Sequence, residues 1–164
     1  MNLIKSNLDG RHDGRDDGRQ IRIGIVQSRF NEAVVNKMTA ACVAELHAHG
    51  VDAAHIDCVS VPGALEIPLA VQSLALTRQY AALIAIGAVI RGETYHFETV
   101  SNESCRGVMD VMLETGVPIA NGILTTENDA QAEARVLEKG ADCARAAIEM
   151  ANTLAQILKL KDVR

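Results

Sequence analysis

Four strand-length segments, each followed by a segment with helical spacing, predict a three-layer α/β fold, a four-stranded parallel sheet with helices on both faces. Three observations carry this expectation. Residues 81–86 read Ala-Ala-Leu-Ile-Ala-Ile, an uninterrupted apolar run of the kind found in strands buried on both faces. Strand and helix patterns alternate, so right-handed crossovers must join parallel strands. The composition is 48% hydrophobic but only 2% aromatic, so the core is built from Val, Ile, Leu, Met and Ala, which favours helices packed closely on a sheet. At 164 residues the chain fits one domain with a continuous core.

Residues 1–20 contain Asp9-Gly10-Arg11, Asp13-Gly14-Arg15 and Asp17-Gly18-Arg19, with balanced charge and no apolar periodicity, and are expected to form a flexible arm. The domain is expected over residues 21–164. Residues 21–26 form the first strand, and a helix follows to His49 with Val34, Val35, Met38, Cys42 and Leu46 buried, Asn31 as N-cap and Gly50 at the C-terminal cap. Strand two covers residues 56–61; the next helix runs to about Arg78, with Pro68 in its first turn and Leu69, Val71 and Leu74 on its apolar face. Strand three ends at Gly87, and a polar turn, Arg91-Gly92-Glu93-Thr94, leads into a helix from His96. The stripe of this helix is Phe97, Val100, Ser104, Val108, Val111 and Met112, and it stops at Thr115-Gly116-Val117-Pro118. Strand four covers residues 118–124. Thr126 and Asp129 have capping-box spacing for a short helix through Arg135, which gives way at Glu138-Lys139-Gly140. The last helix, from Ala141 to about Lys161, carries Ala144, Ile148, Ala151, Leu154 and Leu158 on one face.

Charge and motifs exclude several function classes. A net charge of −5 argues against nucleic acid or an anionic membrane surface as main partner. The apolar runs are too short to span a bilayer and no signal-peptide pattern opens the chain, so a cytoplasmic location is expected. Cys42, Cys58, Cys105 and Cys143 lack C-x-x-C spacing and are read as small buried thiols. His47 and His49 are spaced i, i+2 and face apart, and no metal cluster emerges from the five histidines. Neither G-x-G-x-x-G nor G-x-x-x-x-G-K-[ST] is present, which removes the main support for dinucleotide and P-loop readings.

In open parallel sheets, ligands bind beyond the carboxyl ends of the strands. Those ends here are Phe30-Asn31, Gly63-Ala64-Leu65-Glu66, residues 88–96 and residues 125–128. The turn before His96 combines Gly92, the Thr94 hydroxyl and a helix N-terminus, whose free N–H groups and dipole favour an anion such as phosphate. A histidine beside such a turn is placed for acid or base work near neutral pH. Glu66 at its helix start has the alternative of interacting only with the helix dipole, Phe30 that of an ordinary core residue, and Arg135 and Lys139 that of solvated helix-end cations.

These segments together resemble the 6,7-dimethyl-8-ribityllumazine synthase family of riboflavin biosynthesis. The matching residues are Gly24-Ile25-Val26 with Arg29-Phe30-Asn31, Val61-Pro62-Gly63-Ala64-Leu65-Glu66-Ile67-Pro68, Gly87-Ala88-Val89-Ile90-Arg91-Gly92-Glu93-Thr94-Tyr95-His96, Pro118-Ile119-Ala120-Asn121-Gly122, Leu124-Thr125-Thr126-Glu127-Asn128 and Glu138-Lys139-Gly140. The resemblance implies a flavodoxin-like fold and the condensation of 5-amino-6-(D-ribitylamino)uracil with 3,4-dihydroxy-2-butanone 4-phosphate, without cofactor or metal. Carried over by position, Phe30 stacks on the pyrimidine, with Asn31 beside it. Ala64, Leu65 and Glu66 hold the ribityl chain, and Ala88, Val89 and Ile90 line the ring pocket. Gly92, Glu93, Thr94 and Arg135 take the phosphate, and His96 moves protons. Asn121 stands where some relatives have an aromatic ring, and Lys139 matches a lysine near the site. The family forms pentamers, some stacked into decamers or sixty-subunit shells, with sites completed by a neighbour; Asn121, Arg135 and Lys139 are the expected donated residues. The competing expectations are a non-catalytic flavodoxin-like module that binds a lumazine or flavin, and a receiver domain. The receiver reading is weakened because strand one ends in Gln-Ser-Arg-Phe instead of an acidic cluster.

Overall fold

A computed structural model describes residue 4, residues 6–11 and residues 20–160. The elements follow as β1 (Ile23–Ser28), α1 (Glu32–Ala48), β2 (Ile56–Val61), α2 (Ile67–Leu76), β3 (Ala82–Ile90), α3 (His96–Thr115), β4 (Ile119–Thr126), α4 (Asp129–Glu133) and α5 (Val136–Lys159). All strand pairings are parallel and the sheet order is β2-β1-β3-β4. This is the flavodoxin-like order without a fifth strand, with its switch point between β1 and β3. The expected three-layer α/β fold is therefore what the chain forms.

Side-chain alternation along β3 divides the core in two. Ala82, Ile84, Ile86 and Ala88 face α1 and α5, where they meet Val35, Met38, Leu46, Ala144 and Ile148. Leu83, Ala85 and Val89 face α2 and α3, where they meet Ile67, Val71, Val108 and Val111. The central strand is buried on both faces, as its apolar run predicts. The five expected buried positions of α1 are the buried ones. Gly116, in the left-handed region at φ 72°, ends α3 where Thr115-Gly116 predicts.

Other expectations are corrected. Gly87 does not end β3, which continues to Ile90. A Cβ at Gly87 would lie 3.2 Å from Ile67 Cδ1 and 3.3 Å from Ser28 Oγ, so the glycine lets α2 settle on the strand. Likewise Gly140 does not interrupt a helix, because α5 begins at Val136 and runs through it. A Cβ there would lie 2.3 Å from the Met38 carbonyl oxygen, so close approach of α1 and α5 requires glycine. The buried stripe of α2 is Ile67, Val71 and Ala75, and Leu69 is 70% exposed. Leu158, in the last turn of α5, is exposed too. Thr126 is the last residue of β4 and cannot cap α4; Asn128 does, its Oδ1 accepting from Gln131 N at 2.9 Å. Cys42 and Cys143 are buried, but Cys58 lies exposed on edge strand β2. Burial pushes the Cys42 thiol up to about 12.

The first Asp-Gly-Arg repeat packs on the domain. Gly10 N donates to His49 O at 2.8 Å, and the buried Asn152 donates Nδ2 to Asn7 O and Asp9 O at 2.9 and 3.0 Å. The second and third repeats lie outside the described residues.

A cleft at the strand ends as the candidate active site

The loops following β1, β2 and β3 surround a cleft of about 550 Å³ on the α2/α3 side of the switch point. Its walls are mostly apolar, formed by Phe30, Ala64, Leu65, Val89, Ile90, Phe97 and Val100, with Glu66, Thr94 and His96 as the side chains carrying polar groups. A largely apolar cleft with a few convergent polar groups suits a flat, partly hydrophobic organic ligand.

Backbone pairing fixes the cleft rim. Arg29 N and Phe30 N continue the β1 pairing by donating to Val61 O and Pro62 O at 2.9 and 3.1 Å. The Phe30 ring is left 71% exposed at the mouth, which rules out the ordinary core role. Asn31 occupies the N-cap position of α1 in the left-handed region, at φ 58°. Its side chain does not cap; Nδ2 donates instead to Ala88 O at 2.8 Å, tying the end of β1 to β3. On the next loop, Glu66 N donates to Gly63 O at 3.3 Å, and a Cβ on Gly63 would sit 3.0 Å from Glu66 Oε2. Glycine at this position leaves room for the carboxylate.

The turn after β3 carries the helix N-terminus. Thr94 Oγ1 accepts from His96 N at 3.4 Å, and α3 begins at His96 with its first N–H groups directed towards the turn. Arg91, just before it, donates Nε to Glu127 Oε2 at 2.6 Å and Nη1 to Glu98 Oε1. Its guanidinium lies 4.1 Å from the centre of the Phe97 ring. The same guanidinium holds the Glu98 carboxyl below the usual carboxylate range, while Glu98 and Glu127 together raise the pKa of Arg91.

Of the residues singled out from sequence, Phe30, Ala64, Leu65, Glu66, Ala88, Val89, Ile90, Gly92, Thr94 and His96 line this cleft. Glu93 belongs to the same turn but is absent from the lining, and Asn31 is likewise absent but hydrogen-bonded to the lining residue Ala88. Asn121, Arg135 and Lys139 do not line it. Asn121 projects from edge strand β4, donating to Cys105 Sγ at 3.4 Å and accepting from Ile123 N at 3.0 Å. Arg135 precedes α5 and donates to Gln131 O at 2.9 Å; Lys139 lies on α5, in the opposite helix layer. Pro62, Gly63, Phe97 and Val100 also line the cleft. The last two belong to the apolar stripe expected for α3, and they serve as both core and wall because the first turns of that helix form one side of the opening. Among the described residues no group of three His, Cys, Asp or Glu side chains could hold a metal ion.

Comparison with known proteins identifies the family of the chain. The profile of the family described as 6,7-dimethyl-8-ribityllumazine synthase matches residues 20–155. Proteins of that name are similar along most of their length. The one from Cupriavidus metallidurans is 56% identical over 153 residues, 93% of this chain and 90% of its own. The one from Ralstonia nicotianae is 60% identical over 146 residues, 89% of each. That from Nitrosospira multiformis is 62% identical over 136 residues, 83% of this chain and 85% of its own. The matched span contains every loop that builds the cleft, so fold, site and sequence agree that the chain belongs to the 6,7-dimethyl-8-ribityllumazine synthase family.

Proposed function

We propose that the protein condenses 5-amino-6-(D-ribitylamino)uracil with 3,4-dihydroxy-2-butanone 4-phosphate to 6,7-dimethyl-8-ribityllumazine, releasing phosphate and two waters. The observation that carries this reading is a single cleft with an exposed aromatic ring at its mouth and a helix N-terminus with a histidine in its wall. The ring offers a stacking face for the pyrimidine, and the Glu66 carboxylate can accept hydrogen bonds from ribityl hydroxyls. The Gly92, Glu93 and Thr94 turn supports phosphate through backbone N–H groups and the α3 dipole. The amine attacks the ketone and loses one water to give an imine, phosphate is eliminated, and ring closure with loss of the second water completes the bicycle. His96 moves protons in these steps, while the cleft holds two reactive substrates together, which is the larger contribution. No metal or redox group enters this sequence of steps.

Arg135, Lys139 and Asn121 belong to the reading as residues donated by an adjacent subunit of a pentamer-based homo-oligomer. For Arg135 and Lys139 the support is positional, since within one chain the sheet stands between the α5 layer and the cleft; Asn121, which faces α3 beside Cys105, is included on its match to the family pattern. An Arg fork suits the phosphate, and Asn121 and Lys139 would meet the pyrimidine or ribityl end. The chemistry is assigned to the domain from residue 21 onward, none of it to the arm of residues 1–20. Free thiols and soluble substrates suit a cytoplasmic location. Among the described residues no helix is long and apolar enough to cross a membrane.

The test is to mix the purified protein with both substrates and follow the fluorescent bicyclic product alongside phosphate, against the spontaneous reaction. Equal amounts of product and phosphate, formed well above that control, are expected. A rate equal to the control, from folded protein that still binds the pyrimidine, would leave a binding module.

A further inference from the structure

We propose that Arg91 is a positioning residue that clamps the phosphate turn of the cleft in its working geometry. The proposal rests on the reading of residues 92–94 as the phosphate site. Three segments meet at this one residue: the turn that it opens, the end of β4 and the first turn of α3. Its backbone N donates to Thr126 O at 2.9 Å, its Nε donates to Glu127 beyond the end of β4, and its Nη1 donates to Glu98 in the first turn of α3. The flat guanidinium also lies 4.1 Å from the centre of the Phe97 ring, which is part of the cleft wall. The turn is therefore held at its start by Arg91 and at its end by the helix that Arg91 grips. Its own tip is open, since a Cβ on Gly92 would meet nothing within 4 Å. Without the clamp, packing around that tip supplies little to fix it.

The clamp is suited to position more than to stability. The side chains of Arg91, Glu98 and Glu127 are 36%, 31% and 57% exposed, and ion pairs so open to water contribute little to folding. Geometry is where arginine differs from lysine. A planar fork can engage two carboxylates while stacking on a ring, and a single ammonium cannot. Both arginine charge and direct phosphate contact are competing explanations for any effect of this residue, and the two glutamates separate them. Neutralising an acid beside an anion site improves anion binding if charge alone matters, but weakens it if the acid holds the clamp.

The experiment compares Arg91→Gln, Arg91→Lys, Glu127→Gln and Glu98→Gln for KM of each substrate, kcat, thermal midpoint and amide hydrogen exchange of residues 93–96 in the ligand-free protein. Arg91→Gln is expected to raise KM for the phosphorylated butanone about tenfold or more, since small misplacements of binding groups are costly. The pyrimidine KM should stay within about twofold, the midpoint within about 2 °C, and the turn amides should exchange faster. Arg91→Lys should not restore the wild-type KM, and Glu127→Gln and Glu98→Gln should raise KM in the same direction. Restoration by lysine, or a lowered KM in the two glutamate variants, would overturn the proposal in favour of a simple charge. Should the wild-type protein make no product, the assigned reaction fails while the exchange data still decide the clamp: unchanged exchange in Arg91→Gln overturns it.

Discussion

Single residues in the cleft act through position relative to a backbone that was already arranged. His96 sits at the start of α3 beside Thr94, and both line the cleft. Its replacement by alanine should lower kcat by about 10²–10⁴-fold without abolishing turnover, because holding the two substrates together does not need the imidazole. Steady-state kinetics with folding checked by circular dichroism measures this, and complete loss of product from a folded variant that binds both substrates would contradict it. Legibility from sequence differed among neighbours here. The place of His96 in the cleft lining was readable, since it follows a turn at the carboxyl end of a strand, although a surface or capping histidine fits the same local pattern. Asn31 was readable as a cap by its position, but its amide reaches across to Ala88, a residue 57 positions away that no local pattern could indicate.

Elements depend on where their glycines stand. Gly140 reads as a helix breaker in the sequence, and its actual neighbours are the Met38 carbonyl oxygen and Ala41 Cβ of α1. Adding a methyl group favours the isolated helix by about 1 kcal/mol, but here it would force two backbones apart at a 2.3 Å contact. Gly140→Ala should therefore destabilise the fold by about 1–3 kcal/mol net, the usual range for overpacking. Urea unfolding checks the sign, and a more stable variant would show that helix propensity outweighs the contact. The same reasoning explains Gly87, which looked like a strand end and is a strand interior closely approached by Ile67. Glycine in a one-dimensional pattern marks either a turn or a close approach, and only the packed neighbour distinguishes them.

At the scale of the whole molecule, the parallel sheet carries Phe30 and His96 to one cleft and keeps Arg135 and Lys139 in the layer built by α5. On the proposed reading, a site that uses all four draws on two chains. Oligomers assembled from a mixture of His96→Ala and Arg135→Ala subunits should then regain activity. Some clefts will combine the intact His96 of one subunit with the intact Arg135 of its neighbour. Rates measured across mixing ratios after co-refolding test this, and a mixture no more active than the sum of the separate variants would show that each cleft is complete within one chain.

The sequence by itself determined the fold class, the order of its elements and most of the cleft lining. Apolar runs with period two or 3.6 report burial directly, and in a parallel sheet the residues just beyond the strands must gather at one end. Tertiary structure alone decided what depends on distant neighbours. It placed the left-handed Asn31 on Ala88, made Gly87 and Gly140 contact points, gave Phe97 and Val100 a second face towards the cleft, and gripped Arg91 between Glu98 and Glu127. Each of these is a contact between segments whose separation along the chain has no periodic signature, so it exists only once the sheet has brought them together.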